Sequence, residues 1–268
     1  MLHIGIIPDG NRRFARKNNI KTLEGYQLGF KKIKLLINEI YKKNINKKDI
    51  ITIIRKEQSN INEIKNINND DKDEIIDNIN KHDTINEITL YICSIDNITK
   101  RKKHDILDLM SVMYDCINEW SDKNSLIYEL EIQVNIVGNI NLLPDNKLIN
   151  KIRNIEKETK KHNKYFLNLA IGYDGKQDII NAINKFNSDK SNKNKNITSL
   201  DITNNMIVKR DIDIVIRTGY EKRISGFFPW QTLYSEWFFL DKYCPEIDIF
   251  DINKVLNEYS NRERRFGK

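Results

Sequence analysis

Short apolar runs alternate with amphipathic helical stretches along most of this chain, and this alternation restricts the fold more than any other feature. The pattern predicts strands at 3–7, 88–94, 131–137, 165–171, 212–216 and 237–240, and helices at 13–17, 30–41, 106–120, 148–161 and 177–186. Strands separated by helices are typical of a mostly parallel central sheet flanked by helices. The sequence therefore predicts an α/β fold with a ligand site at the carboxyl ends of its strands.

Two polar stretches interrupt the alternation. Ile45–Thr84, rich in Asn, Lys, Asp and Ile, is far longer than an ordinary connection and is predicted to be a surface insertion or a disordered loop. Asn187–Asn196 is predicted to be a shorter mobile loop. A chain of 268 residues suffices for one α/β domain, so we expect a single domain over 1–268 with a polar insertion at about 45–84.

The charge balance excludes little. The formal net charge is +7 and 31% of the residues are charged, which suits an anionic substrate, nucleic acid or acidic lipid headgroups. Lys, Asn and Ile dominate the whole chain, a general bias rather than a localised basic patch. Net charge therefore carries little weight here.

Cysteine and histidine are too scattered for a disulfide framework or a Cys/His metal centre. The three cysteines are Cys93, Cys116 and Cys244, and the four histidines are equally dispersed. No run reaches the length of a membrane span and no signal-peptide pattern is present. We expect a soluble, cytoplasmic protein that can still touch a membrane surface.

The first candidate site is the stretch Asp9–Arg13, where the first strand meets the first helix. Backbone N–H groups at a helix start attract anions, and Gly10 allows close approach. Two guanidinium groups suit a diphosphate, whereas Asp9 suits a divalent cation bridging to phosphate oxygens. Alternatively, Asp, Gly and Asn form an ordinary turn and helix cap.

Polar side chains also follow the second and fifth predicted strands. Ser94, Asp96 and Asn97 come directly after 88–94, although such residues end strands routinely. Arg217, Arg223 and Ser225 follow 212–216 and would clamp a second diphosphate, unless the arginines are only surface salt-bridge partners. Farther on, Glu236 stands among aromatic residues, where a carboxylate needs a cation or a hydrogen-bond partner.

Taken together, these motifs resemble the cis-prenyltransferases, the family of undecaprenyl and dehydrodolichyl diphosphate synthases. The resemblance covers nearly the whole chain apart from the insertion. It rests on five ordered blocks: Asp9–Ala15; Leu90–Tyr91 through Ser94 to Asn97; Leu167–Ala170 with Gly172–Gly175; Arg217–Gly219 with Glu221, Arg223 and Ser225; and Asn261–Gly267.

The resemblance implies Mg2+-dependent condensation of isopentenyl diphosphate onto an allylic diphosphate, usually farnesyl diphosphate, in Z configuration. By position, Asp9 matches the aspartate that organises Mg2+, Glu236 the metal-associated glutamate, and Asn97 an asparagine proposed to assist proton removal. The implied substrate-binding positions are Gly10, Asn11, Arg12, Arg13, Phe14, Tyr26, Ser94, Ile95, Asp96, Ile98, Lys100, Arg217, Arg223, Ile224 and Ser225. Neutral asparagine is a poor base, which weakens the role of Asn97.

Several positions depart from the family pattern. Tyr26 replaces a histidine near the allylic diphosphate, Ile98 replaces an aromatic residue, and Lys100 replaces an arginine, with Arg101 adjacent. Tyr220 replaces a glycine or serine, and Lys222 replaces a metal-contacting histidine of bacterial members. These changes bear on metal geometry, primer choice or rate.

The resemblance also implies a homodimer, because Arg265–Gly267 matches a motif that reaches the active site across the dimer interface. It implies an apolar tunnel for the product, with helix 106–120 as a candidate wall, although core packing alone explains the apolar stripe of that helix. Two other functions stay open. A non-catalytic or partner-dependent scaffold subunit would lack the aspartate motif, and a nucleic-acid-binding protein would expose interleaved basic and aromatic residues.

Overall fold

The computed structural model describes residues 1–43 and 84–263. In these residues, six strands form one sheet in which every adjacent pair is parallel, in the order β3-β4-β2-β1-β5-β6. The strands are β1 (Leu2–Ile7), β2 (Ile85–Ser94), β3 (Ile132–Val137), β4 (Tyr165–Tyr173), β5 (Ile214–Arg217) and β6 (Glu236–Phe239). The predicted parallel α/β sheet is confirmed.

Helices occupy most of the connections between the strands. They are α1 (Asn11–Lys17), α2 (Thr22–Lys43), α3 (Ile95–Lys100), α4 (Lys103–Trp120), α5 (Leu126–Glu129), α6 (Asn146–Thr159), α7 (Gly175–Ser188), α8 (Ser199–Asn205) and α9 (Ile249–Asn261). Over the described ranges, none of these helices is both long and apolar enough to cross a bilayer.

Two apolar cores lie on opposite faces of the sheet. Alternate residues of β1 separate them, since Ile4 and Ile6 join the larger core whereas Ile7 joins the smaller one. The larger core packs α2, α4 and α6 against the sheet. The smaller core includes the stacked rings of Tyr173 and Phe228, whose centroids are 4.3 Å apart.

The strand order creates a crevice at the carboxyl ends of β1 and its neighbours in the sheet. From β1 the chain passes to β2 on one side, whereas β5 joins β1 on the other side. Ligands of open parallel sheets bind at such switch points, outside the carboxyl ends of the strands. The segments after Ile7 and Arg217 therefore meet at this crevice.

Helix α2 begins at Thr22, eight residues before the predicted start at 30. The sequence did not predict a helix over 22–29, because this stretch contains Gly25 and Gly29 and glycine is unfavourable inside helices. In the structure both glycines face α1, and a Cβ on Gly25 would lie 2.6 Å from the Asn11 carbonyl oxygen. The glycines are the reason that α1 can lie so close to α2.

The other differences from the prediction concern short or late elements. The sequence did not predict α3, α5, α8 or α9. Helix α7 extends to Ser188, into the predicted loop 187–196. The rest of that loop contains a 3-10 turn at Lys190–Asn192. The insertion predicted at 45–84 lies outside the described residues, except for Thr84. The Arg265–Gly267 motif also lies outside them. A single domain over the whole chain stays a prediction.

Candidate functional site

The turn between β1 and α1 depends on Gly10. Its φ of 102° is left-handed, and a Cβ there would lie 2.6 Å from the Tyr243 ring. The turn holds Asp9 at the end of β1. The main-chain carbonyl of Asp9 accepts hydrogen bonds from Thr218 Oγ1 at 2.7 Å and from Cys244 N at 3.0 Å. These bonds join the ends of β1 and β5.

The carboxylate of Asp9 lies between two guanidinium groups. Arg217 Nη2 donates to Asp9 Oδ2 at 2.9 Å, and Arg13 Nη2 lies 3.2 Å from Asp9 Oδ1. Gly10 N also donates to Oδ1 at 2.6 Å. The structure therefore brings together residues that the sequence placed in two separate motifs.

Arg217 is almost completely buried, with 3% of its side chain exposed. Its Nη1 donates to Ser225 Oγ at 2.8 Å and to the main-chain carbonyl of Arg223. Arg217 thus joins Asp9 to the loop that follows β5. Its role in binding isopentenyl diphosphate stays a prediction, and the side chains of Arg13 and Arg223, 35% and 61% exposed, are more accessible cations.

Glu221 connects the two accessible arginines. Its Oε1 accepts from Arg13 Nη1 at 2.6 Å, and its Oε2 accepts from Arg223 Nη1. The result is a continuous series of ion pairs from Arg217 through Asp9, Arg13 and Glu221 to Arg223. Ile224, the next residue in this loop, is exposed.

A second polar cluster lies where α1, α2 and the start of α4 meet. Arg12 Nη1 donates to Asp105 Oδ2 at 2.9 Å, and Arg101 Nη1 donates to the buried Tyr26 hydroxyl at 3.3 Å. Burial raises the pKa of Tyr26, and the nearby Arg101 and Arg12 oppose that rise. The phenol therefore stays protonated at neutral pH, beside two cations.

The contacts of Asn11 and the burial of Phe14 help to pack α1 against its neighbours. Asn11 Nδ2 donates to Pro8 O at 3.1 Å, and its buried Oδ1 lies where a Cβ on Gly29 would be only 1.9 Å away. Phe14 is half-buried. Their roles in substrate binding stay predictions.

The end of β2 is organised by a capping box at the start of α3. Ser94 Oγ accepts from Asn97 N at 3.0 Å, and Asn97 Oδ1 accepts from Ser94 N at 3.4 Å. This box is the local signal that the sequence interpretation missed. Exposed Asp96 and Lys100 pair at 2.8 Å, while Ile95 and Ile98 are half-buried and Ile98 packs against the larger core.

Glu236 lies away from Asp9 in this structure, and its association with a metal ion stays a prediction. In the parallel pairing of β5 with β6, Glu236 lies opposite Ile214 and Phe239 opposite Arg217. Glu236 is therefore about 10 Å along the strand from the edge that carries Asp9. Its carboxylate instead pairs with Arg262. Sequence spacing could not reveal this register.

Among the described residues, the ion-pair series at this edge contains two carboxylates, Asp9 and Glu221. Within 1–43 and 84–263, no group of three or more His, Cys, Asp or Glu side chains is arranged to hold a metal. Mg2+ is commonly held by one or two carboxylates together with substrate phosphates rather than by an all-protein cage. Asp9, with 32% of its side chain exposed, fits that mode.

A small apolar cavity of about 10 Å³ lies between α2, α4 and the sheet. Its walls include Phe30 of α2, Met113, Cys116 and Trp120 of α4, and Ile92 and Ile171 of the strands. The lining is wholly apolar, so the space favours hydrocarbon over water. It lies beneath α4, the helix predicted as a tunnel wall.

The fold and the site together define a parallel α/β protein with a cluster of arginine ion pairs at its switch point and a small apolar cavity inside. A family model described as putative undecaprenyl diphosphate synthase matches residues 56–267. The chain belongs to this family, the cis-prenyltransferases.

Similar proteins cover nearly the whole chain. The tritrans,polycis-undecaprenyl-diphosphate synthase (geranylgeranyl-diphosphate specific) of Thermoplasma acidophilum is 31% identical over 99% of this chain and 88% of its own length. A relative of the same description from Methanocaldococcus jannaschii is 37% identical over 69% of this chain and 67% of its own length.

Solved structures show the same fold. Lavandulyl diphosphate synthase from Lavandula x intermedia, solved with dimethylallyl diphosphate, superposes with a TM-score of 0.74 at 23% identity, covering 99% of this chain and 98% of that one. A probable undecaprenyl diphosphate synthase from Campylobacter jejuni gives 0.62 at 25% identity, covering 76% and 96%.

Proposed function

We propose that this protein lengthens an allylic diphosphate with isopentenyl diphosphate in Z configuration, to give a long-chain polyprenyl diphosphate. The observation that carries the proposal is the placement of Asp9, Arg13 and Arg217 in one ion-pair cluster at the β1–β5 crevice. The family of the chain and the descriptions of its relatives support the same reaction.

The exposed arginines bind and orient the two anionic substrates. Arg12 and Arg13 on α1 bind the allylic diphosphate, while Arg223 and Ser225 on the loop after β5 bind isopentenyl diphosphate. Guanidinium groups suit this task because each makes two parallel, charge-assisted hydrogen bonds to phosphate oxygens. Holding two polyanions in one crevice replaces a bimolecular encounter with a positioned one.

In each cycle the allylic carbon–oxygen bond breaks and its electron pair leaves with diphosphate. The double bond of isopentenyl diphosphate then attacks the allylic carbon, and the new carbon–carbon bond forms with loss of a proton. Arg12 and Arg13 stabilise the negative charge that builds on the departing diphosphate. The growing hydrocarbon chain would enter the apolar space beneath α4, where α2 and α4 must move apart to make room for it.

Asp9 is the residue that would hold Mg2+, together with diphosphate oxygens of the substrate. When bound, the ion would neutralise charge on the diphosphate oxygens as the bond ionises. Arg217 keeps the Asp9 carboxylate oriented toward the crevice. A homodimer and contact of the protein with a membrane surface stay predictions.

The relatives favour a longer primer than the family resemblance alone predicts. Farnesyl diphosphate is the expected primer from the resemblance, whereas the Thermoplasma acidophilum relative is described as specific for geranylgeranyl diphosphate. We therefore propose geranylgeranyl diphosphate as the better primer, with farnesyl diphosphate as the comparison.

The test is incorporation of labelled isopentenyl diphosphate into butanol-extractable product with each primer, with Mg2+ and with EDTA. We expect product with wild type, none with EDTA, and a loss of at least about 10²-fold with Asp9→Ala. Asp115→Ala, which removes an exposed aspartate on α4, is the matched control and should retain activity. If folded wild-type protein makes no product with any primer, the alternative of a non-catalytic or partner-dependent scaffold subunit is favoured instead.

A further inference from the structure

We infer that Glu221 is an internal counter-ion that occupies the accessible arginines until a diphosphate displaces it. This inference rests on the proposed function, since it concerns how the same site receives its substrates. Glu221 belongs to a block that the sequence singled out, but neither the motif nor the reaction gives it a role. The structure places its carboxylate between Arg13 and Arg223.

The geometry of the Glu221 contacts is that of a bridge. Each carboxylate oxygen serves a different guanidinium group, one on α1 and one on the loop after β5. The allylic diphosphate at Arg13 and isopentenyl diphosphate at Arg223 would each offer oxygens to one of these donors. Glu221 and these ligands therefore compete for the hydrogen-bond donors.

The loop backbone is shaped to present Glu221. Gly219 and Tyr220 have φ values of 92° and 62°, so two successive residues adopt the left-handed conformation. That conformation is uncommon for tyrosine. The Tyr220 ring packs against Tyr243 at 5.0 Å between centroids, and Gly219 N donates to Lys242 O at 2.6 Å. Contacts outside the ion pairs thus hold the turn that aims Glu221 at Arg13.

The charges explain why a counter-ion is useful. The cluster contains three guanidinium groups and two carboxylates, so without Glu221, Arg223 would lose the carboxylate it pairs with and Arg13 would keep only Asp9. Unpaired cations repel one another and lose their alignment. Glu221 keeps Arg13 and Arg223 in place at the cost of weaker diphosphate binding. The competition also favours a ligand of high negative charge over chloride or a monoanion.

The test is calorimetric titration of inorganic pyrophosphate into wild type, Glu221→Gln and Glu221→Asp. Removing the competing charge should tighten pyrophosphate binding by about fivefold in Glu221→Gln. Glu221→Asp keeps the charge with a shorter reach and should fall between the two. Glu119→Gln removes a glutamate that pairs with Lys34 away from the site, so it should bind pyrophosphate like wild type.

The outcomes separate this inference from the proposed function. If Glu221→Gln binds pyrophosphate equally or more weakly while wild type makes polyprenyl product, Glu221 merely supports the arginines and the counter-ion role is wrong. Wild-type protein that neither binds pyrophosphate nor makes product would overturn both. A thermal unfolding midpoint for Glu221→Gln close to that of wild type would show that any affinity change comes from the site.

Discussion

At the residue scale, Arg217 holds the site together because each of its two terminal nitrogens has a different task. One nitrogen bonds Asp9, and the other bonds Ser225 and the carbonyl of Arg223. Lysine carries the same charge at a single point and cannot serve both sides. The planar fork of arginine, rather than its charge alone, therefore aligns β1 with the loop after β5.

Arg217→Lys should lower kcat about 100-fold and the free energy of unfolding by about 1–2 kcal/mol, because buried acceptors lose their donor. Steady-state kinetics and urea denaturation measure the two effects. Arg223→Lys is the comparison: its exposed side chain should raise KM for isopentenyl diphosphate and change stability by less than about 0.5 kcal/mol. A wild-type kcat in Arg217→Lys would contradict the positioning role.

Most residues of the ion-pair cluster could be predicted from local motifs, whereas the contacts between them could not. Asp9, Arg13 and Arg217 lie at strand ends, where the alternation of elements places ligand sites. The bridge by Glu221 depends on a contact between residues 208 positions apart, and spacing does not encode it. The position of Glu236 depends in the same way on strand register, which the sequence does not specify for a short edge strand.

At the element scale, the site depends on how closely α1 packs against α2. Helix α2 offers Gly25 and Gly29 to α1, and the Asn11 side chain occupies the space above Gly29. Because α1 carries Arg12 and Arg13, a shift of this helix moves both guanidinium groups. The sequence does not predict this contact, since glycine usually lowers the helix propensity of a segment.

Gly29→Ala should destabilise the protein even though alanine is the better helix former. Helix propensity alone predicts a gain of about 1 kcal/mol, whereas the new Cβ would lie 1.9 Å from Asn11 Oδ1. We expect a net loss of about 1–3 kcal/mol from overpacking, and a loss of activity as α1 shifts. Urea denaturation measures the first effect and product formation the second.

The matched partner of this variant is the double variant Asn11→Ala with Gly29→Ala. Truncating Asn11 removes the atom that clashes, so stability should return most of the way toward that of Asn11→Ala alone. A Gly29→Ala protein more stable than wild type would show that the two helices are not in the close contact described.

Late and short helices were the other elements that the sequence did not reveal. Helix α9 has an amphipathic stripe in Ile252, Val255, Leu256 and Tyr259, all buried, and an Asp248 cap. Both signals are present in the sequence, directly before the motif at Asn261–Gly267. By contrast, α5 has four residues and leaves too short a pattern to recognise.

At the scale of the whole molecule, the two ends of the sheet have different chemistry. The carboxyl edge carries the arginine cluster, whereas a ladder of neutral hydrogen bonds crosses the sheet nearer its other end. His3 Nε2 lies 2.7 Å from Thr89 Oγ1, which accepts from Asn168 Nδ2 at 2.9 Å. Asn135 Nδ2 in turn donates to Asn168 Oδ1 at 2.9 Å. This ladder fixes the alignment of four strands, and with it the crevice at the opposite edge.

His3 should make the stability of the fold depend on pH. Burial, reinforced by Arg210, lowers the pKa of His3 from 6.5 to about 3. Between these values the unfolded chain binds a proton that the folded chain does not, so stability falls as pH decreases from 6.5 toward 3. The slope approaches about 1.4 kcal/mol per pH unit in the middle of this range.

Urea denaturation between pH 4 and 8 tests this effect in wild type, His3→Gln and His104→Gln. The groups facing His3 include Glu87, whose pKa is raised by burial and whose contribution has the opposite sign, together with Asp213 and Arg210. The wild-type curve minus the His3→Gln curve therefore isolates His3 and should decrease below pH 6.5. His104 is exposed, so its removal should leave the acid slope in place. An equal acid slope in His3→Gln and wild type would show that this histidine is protonated without disturbing the sheet.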